Sequence, residues 1–62
     1  MLTGREQQVL TMIAKGLANK YIAAKLKIRI RTVEHHRSNL TDKLGFKTPS
    51  ALVKYAIDKG LV

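Results

Sequence analysis

The stretch GLANKYIAAKLKIRIRTVEHHRSNLTDKLG, residues 16–45, decides how this chain folds. In its first part Ile22, Ala23 and Leu26 recur at helical spacing, while Lys20, Lys25 and Lys27 point the other way. Further on, Ile30, Val33, Leu40 and Leu44 share one helical face, and Gly45 supplies a stop. The pattern predicts a short helix opening near Asn19 and a longer one from about Ile30 to Leu44. Neither proline nor glycine separates them. The break is therefore inferred from the change of pattern, with Ile28 as a buried turn residue.

The flanks extend the same reading. Upstream, Thr3-Gly4-Arg5-Glu6 has the spacing of a capping box, in which the Thr3 hydroxyl and the Glu6 carboxylate each accept a backbone N–H of the other. Val9, Leu10, Ile13, Ala14 and Leu17 follow at helical spacing, so the first helix is expected over about residues 4–15, ending before Gly16. Downstream, Thr48 is the expected N-cap and Pro49 the first residue of a last helix, where its missing N–H costs nothing. Leu52, Val53, Ala56 and Ile57 form that helix's apolar stripe, and Gly60 closes it. No segment alternates apolar and polar residues as a strand would. The expected fold is all-α, a compact four-helix bundle.

Composition sets the outer bounds. At 62 residues there is room for one domain, and a chain of that size buries only about 60% of its unfolded surface. That leaves little room for a deep, desolvated catalytic pocket, and no enzyme activity or cofactor is expected. A 45% hydrophobic share supports one core and excludes a disordered basic tail. With no Cys, disulfide scaffolds, thiolate zinc sites and cysteine nucleophiles are excluded. Apolar runs stop after a few residues, against the roughly 18 needed to cross a bilayer. Together with the absence of an apolar leader, this gives the expectation of a soluble, intracellular domain.

Charge narrows the choice further. Twelve basic residues against four acidic ones give a net charge of +8. Residues 19–47 hold Lys20, Lys25, Lys27, Arg29, Arg31, Arg37, Lys43 and Lys47 against Glu34 and Asp42, so six of those eight net charges lie in the middle of the chain. A basic field focused on one region of a small fold suits a polyanion, and nucleic acid is the commonest.

On the long helix, the face opposite the apolar stripe carries Arg31, Glu34, His35, Ser38, Asn39 and Asp42, with Thr32, His36 and Lys43 along one flank. These side chains include donors and acceptors able to reach base edges in a major groove. A short helix, a tight turn and a longer polar-faced helix is also the helix-turn-helix layout. His35 and His36 point about 100° apart on a helix, so they cannot chelate one metal from the same face.

These residues resemble the LuxR-type helix-turn-helix domain, the C-terminal DNA-binding part of LuxR and NarL/FixJ-family transcriptional regulators. The matching elements are Leu2-Thr3-x-Arg5-Glu6 with Val9-Leu10, Gly16-Leu17-Ala18-Asn19-Lys20 with Ile22-Ala23, and Leu26-x-Ile28. Thr32-Val33-Glu34-x-His36, Lys43-Leu44-Gly45, Tyr55-Ala56-Ile57 and Gly60-Leu61 continue the match in order. The resemblance implies a motif over about residues 18–37, with residues 30–44 as the recognition helix. It implies base contacts from Glu34, His35 and Ser38, and phosphate contacts from Asn19, Lys20, Arg31, Thr32, His36 and Lys43. Arg29 and Arg37 add two cations to the phosphate-facing set. The last helix is implied as a homodimer interface on double-stranded DNA, through Leu52, Val53 and Ala56. A cytoplasmic, nucleoid-associated regulator with an N-terminal regulatory domain is implied too, with RNA polymerase as a candidate further partner.

Four positions depart from the family pattern. Ala18 and Tyr21 stand where Ser and Glu often cap the second helix together, so Asn19 is expected to take over the cap. Arg29 replaces the Ser that usually opens the recognition helix, exchanging a cap for a charge. Glu34 stands where many members carry Lys, and it needs a cytosine amino group, Arg31 or Arg37 as partner. Two other functions compete with this reading. Region four of a bacterial sigma factor shares the helical plan, but the His36 position and the ending Ala56-Ile57-Asp58-Lys59-Gly60-Leu61 argue against it. The other, in a different class, is a non-DNA protein-interaction bundle or a basic domain lying on anionic membrane, and the membrane form is weak because the apolar faces are needed for one shared core.

Overall fold

The computed structural model describes residues 2–46 and 48–62. Lys47, counted above in the basic stretch, lies outside the described residues, as does Met1. Four helices follow in order: α1 (Gly4–Ala14), α2 (Asn19–Leu26), α3 (Ile30–Leu44) and α4 (Pro49–Asp58). All four begin within a residue of the positions the sequence pattern gives.

The ends of α1 are fixed by local chemistry. Thr3 N–H donates to Glu6 Oε1 at 2.9 Å, and Glu6 N–H donates to Thr3 Oγ1 at 3.1 Å, which completes the capping box. At the other end Gly16 adopts φ 86°, and its N–H reaches the Ile13 carbonyl while that of Leu17 reaches Met12. This is a Schellman ending, and the left-handed residue it needs is strained for any side chain with a Cβ. The same ending at α2 is built on Lys27, at φ 59° and ψ 43°. That is why no glycine marks the turn between α2 and α3 in the sequence.

The core is assembled from one stripe of each helix: Val9, Leu10 and Ile13 from α1, Ile22 and Ala23 from α2, Val33 and Leu40 from α3, and Leu52 and Ala56 from α4. Each buried Leu or Ile contributes about 1.5–3 kcal/mol relative to an exposed one. Helix α1 packs against both α3 and α4, and α2 packs against α3. Thus α1 and α4 form a backing for the α2–α3 pair, whose outer surface stays open.

Two expectations change here. Ile30, assigned to the buried stripe of α3, is 48% exposed. It is the first residue of the helix, and helical side chains tilt toward the N-terminus, so this one projects past the end of the core. Asn19 does not cap α2. The N-cap is Ala18, which makes no side-chain bond, and Asn19 is the first helical residue.

Candidate nucleic-acid interface

The polar face of α3 is open along its length. Arg31, Glu34, His35, Ser38 and Asp42 are exposed, and Asn39, Thr32 and His36 are half-buried. Val33 and Leu40, on the opposite side, are fully enclosed and fix which face turns outward. Among the described residues no ion pair involves Glu34. Its carboxylate is thus held by neither Arg31 nor Arg37, and keeps its acceptor capacity for an outside donor.

Beside this face lie the starts of α2 and α3. Neither helix has a side-chain cap, and neither carries an acidic residue in its first turn. Thr3 and Thr48, by contrast, cap α1 and α4 with their hydroxyls. Uncapped N-terminal N–H groups carry the positive end of the helix dipole and suit an anion. Lys20, Arg29 and Arg31, all exposed, stand at these two ends and reinforce the same sign. Lys20 Nζ lies 5.2 Å from the centroid of the Tyr21 ring, and Tyr21 is 58% exposed. In the sequence pattern Tyr21 stands only as a lost cap. Its exposure beside the basic helix end has no periodicity signal that could have announced it.

Two of the cations on α3 are already engaged. Arg37 donates from a guanidinium N–H to Asn19 Oδ1 at 3.2 Å, which joins α3 to the start of α2. Lys43 Nζ donates to Glu6 Oε1 at 2.8 Å, which joins the end of α3 to the start of α1. The Lys43 bond, and after it the Thr3 N–H, hold the Glu6 carboxyl below the ordinary carboxylate range against the opposing effect of burial. Lys43, implied above as a phosphate contact, is therefore tied to a carboxylate inside the bundle. Local spacing reveals the capping role of Glu6 alone, because it carries no sign of a partner on another helix.

The residues considered for a dimer face separate in the same way. Leu52 and Ala56 are fully buried in the protomer's own core, since the stripe that packs on α1 takes both. Val53 is half-buried, and Ile57, one turn further on, is 57% exposed. An outer surface of α4 therefore runs through Val53 and Ile57.

No described helix is long and apolar enough to cross a membrane. Among the described residues no three His, Asp or Glu side chains come together as a metal site. One open cleft, of about 310 Å³, is lined by Gln7, Thr11, Met12 and Leu61, away from the α3 polar face, and another, of about 410 Å³, is lined by Thr41, Asp42, Gly45 and Phe46 at the end of α3.

Comparison with known proteins agrees with this geometry. The family described as bacterial regulatory proteins, luxR family, matches residues 1–56. The Oxygen regulatory protein NreC of Staphylococcus aureus strain JH9 is 45% identical over 62 residues, all of this chain, and that of strain USA300 is identical to the same extent. The chain spans 29% of the length of these curated relatives. Fold, open polar helix and family match converge: the chain belongs to the luxR family of bacterial regulatory proteins, as a helix-turn-helix DNA-binding domain.

Proposed function

We propose that this domain reads double-stranded DNA by laying α3 in the major groove, within a motif spanning about residues 18–37. Glu34, His35 and Ser38 face base edges, with Glu34 accepting from a cytosine amino group. Lys20, Arg29, Arg31, Thr32, His36 and Arg37 meet phosphates on either side, and Asn19 belongs to the same edge. Lys43 is left out of this set because its ammonium is held by Glu6. The observation that carries the reading is the coincidence of an open polar face on α3 with two uncapped, basic helix ends beside it. Affinity then comes mainly from cations on phosphates, and preference from α3.

The domain acts as the DNA-binding part of a longer cytoplasmic response regulator, controlled by an N-terminal domain and acting on transcription by RNA polymerase. It pairs with a second copy on a two-fold related site through the outer surface of α4, at Val53 and Ile57.

Fluorescence anisotropy against a random duplex and a selected pool of inverted-repeat duplexes, at two salt concentrations, tests both parts. The expected result is a steep negative salt slope, near 0.9 per phosphate contact, with a preferred sequence emerging from the pool. His35→Ala or Ser38→Ala changes that preference, whereas Lys20→Ala weakens all sequences alike. Ile57→Arg removes cooperative binding to two half-sites and leaves one half-site unaffected. Binding without any preference would remove the base-reading role of α3, and unchanged cooperativity would remove the α4 pairing.

A further inference from the structure

The bond from Arg37 to Asn19 belongs to neither a cap nor the apolar core, yet it joins two residues on the edge read above as phosphate-facing. We infer that Asn19 is a positioning residue for Arg37: its side-chain oxygen holds the guanidinium at the seam between α2 and α3, where the remaining N–H donors meet a DNA phosphate. The inference rests on the DNA-docking reading of α2 and α3.

Three observations carry it. First, Asn19 is the first residue of an uncapped helix, but its oxygen is spent on Arg37 and not on the local backbone N–H groups. Second, the acceptor is neutral. The other tethered cation of α3, Lys43, is neutralised by a carboxylate, so that pair ties the bundle together and cancels the charge. An amide orients the guanidinium and leaves its full positive charge available. Third, one of the five N–H donors of Arg37 is used on Asn19, which leaves the planar fork with capacity for a phosphate oxygen. Both residues are half-buried, so Arg37 is confined without being shut off from solvent. Fixing an arginine beforehand removes rotamer entropy that docking would otherwise have to overcome.

The test is a double-mutant cycle on the 62-residue chain, read by anisotropy with a random-sequence duplex over a range of salt. Asn19→Ala is expected to weaken binding about threefold with the salt slope kept, and Arg37→Ala about tenfold with the slope reduced by about 0.9. The double variant binds no more weakly than Arg37→Ala. Arg37→Gln can still donate to Asn19 but carries no charge, and is expected to bind like Arg37→Ala. Asn19→Asp keeps an acceptor for Arg37 but sets a carboxylate beside the phosphate, so it weakens binding while the fold stays at least as stable.

Losses that add in the double variant would mean that Asn19 meets DNA on its own and would overturn the proposal. Wild-type affinity in Arg37→Gln, or an unchanged slope in Arg37→Ala, would reduce the pair to a tether and overturn it as well. Wild-type protein that binds no duplex at low salt would overturn the DNA-docking reading together with this one, whereas the other outcomes leave that reading standing.

Discussion

Lys27 is the one residue other than glycine that takes a positive φ among the described residues, and it does so at the tightest point of the fold. Its N–H donates to the Ala24 carbonyl at 3.3 Å and that of Ile28 to Ala23 at 2.9 Å, so the left-handed turn closes the end of α2. A left-handed backbone costs an L-residue about 1–2 kcal/mol, which glycine avoids. Glycine also widens the unfolded ensemble, at a cost of about 0.4–1 kcal/mol. The first effect exceeds the second. Lys27→Gly should therefore raise stability by about 0.5–1 kcal/mol, or about 4–8 °C in Tm for a domain of this size. Thermal unfolding followed by circular dichroism checks it. A lower Tm would show that the lysine side chain stabilises the turn by more than its backbone strain costs.

At the scale of the elements, the two outer helices are capped and the two helices of the motif are not. Thr3 and Thr48 accept N–H groups at the starts of α1 and α4, while Ala18 and Arg29 offer no side-chain acceptor to α2 and α3. Replacing either with Ser should add a cap and raise stability by about 0.5–1.5 kcal/mol. The two substitutions should then part company on DNA. Ala18→Ser changes no charge and should keep the salt slope. Arg29→Ser removes an exposed cation, and should weaken binding to every sequence while lowering the slope by about 0.9. Measuring Tm and anisotropy on the same two proteins separates the effects. Equal affinities for both would mean that Arg29 stands away from the phosphates. The starts of all four helices were legible because caps and periodic stripes are local signals. The α2–α3 turn was placed without its mechanism, since a lysine in a left-handed conformation looks like any other lysine in a sequence.

For the whole molecule, what escaped the sequence is what joins distant segments. The stripe of Val33, Leu40 and Leu44 could be read by counting residues, but the exposure of Ile30 depends on where the core of the assembled bundle ends. Likewise the polar face of α3 was legible, whereas the pairing of Arg37 with Asn19 and of Lys43 with Glu6 follows only once the helices are packed. The second of these pairs ties the beginning of the fold to the end of α3, and it gives the molecule an acid-sensitive joint. Glu6 is 4% exposed, and its carboxylate accepts from both Lys43 and the Thr3 backbone. Folding therefore lowers its pKa, with the Lys43 bond as the largest cause. A carboxyl whose pKa falls on folding stabilises the native state above its unfolded value, near 4.3, and that contribution disappears as pH drops through the folded value. Tm should be flat from pH 7 to about 5 on this account and fall below it. In Glu6→Gln the fall should be shallower, because the group that must take up a proton is gone. In Lys43→Met Tm should be lower at pH 7 and the acid fall shallower as well, because the carboxyl stays almost enclosed without its cation, its folded pKa moves upward, and protonation no longer favours the unfolded chain. The chain has four acidic residues in all, so the acid limb has few other contributors. Thermal unfolding at half-unit pH steps reads all three curves. Parallel acid limbs in wild type and Glu6→Gln would show that the joint does not set the acid stability of the bundle.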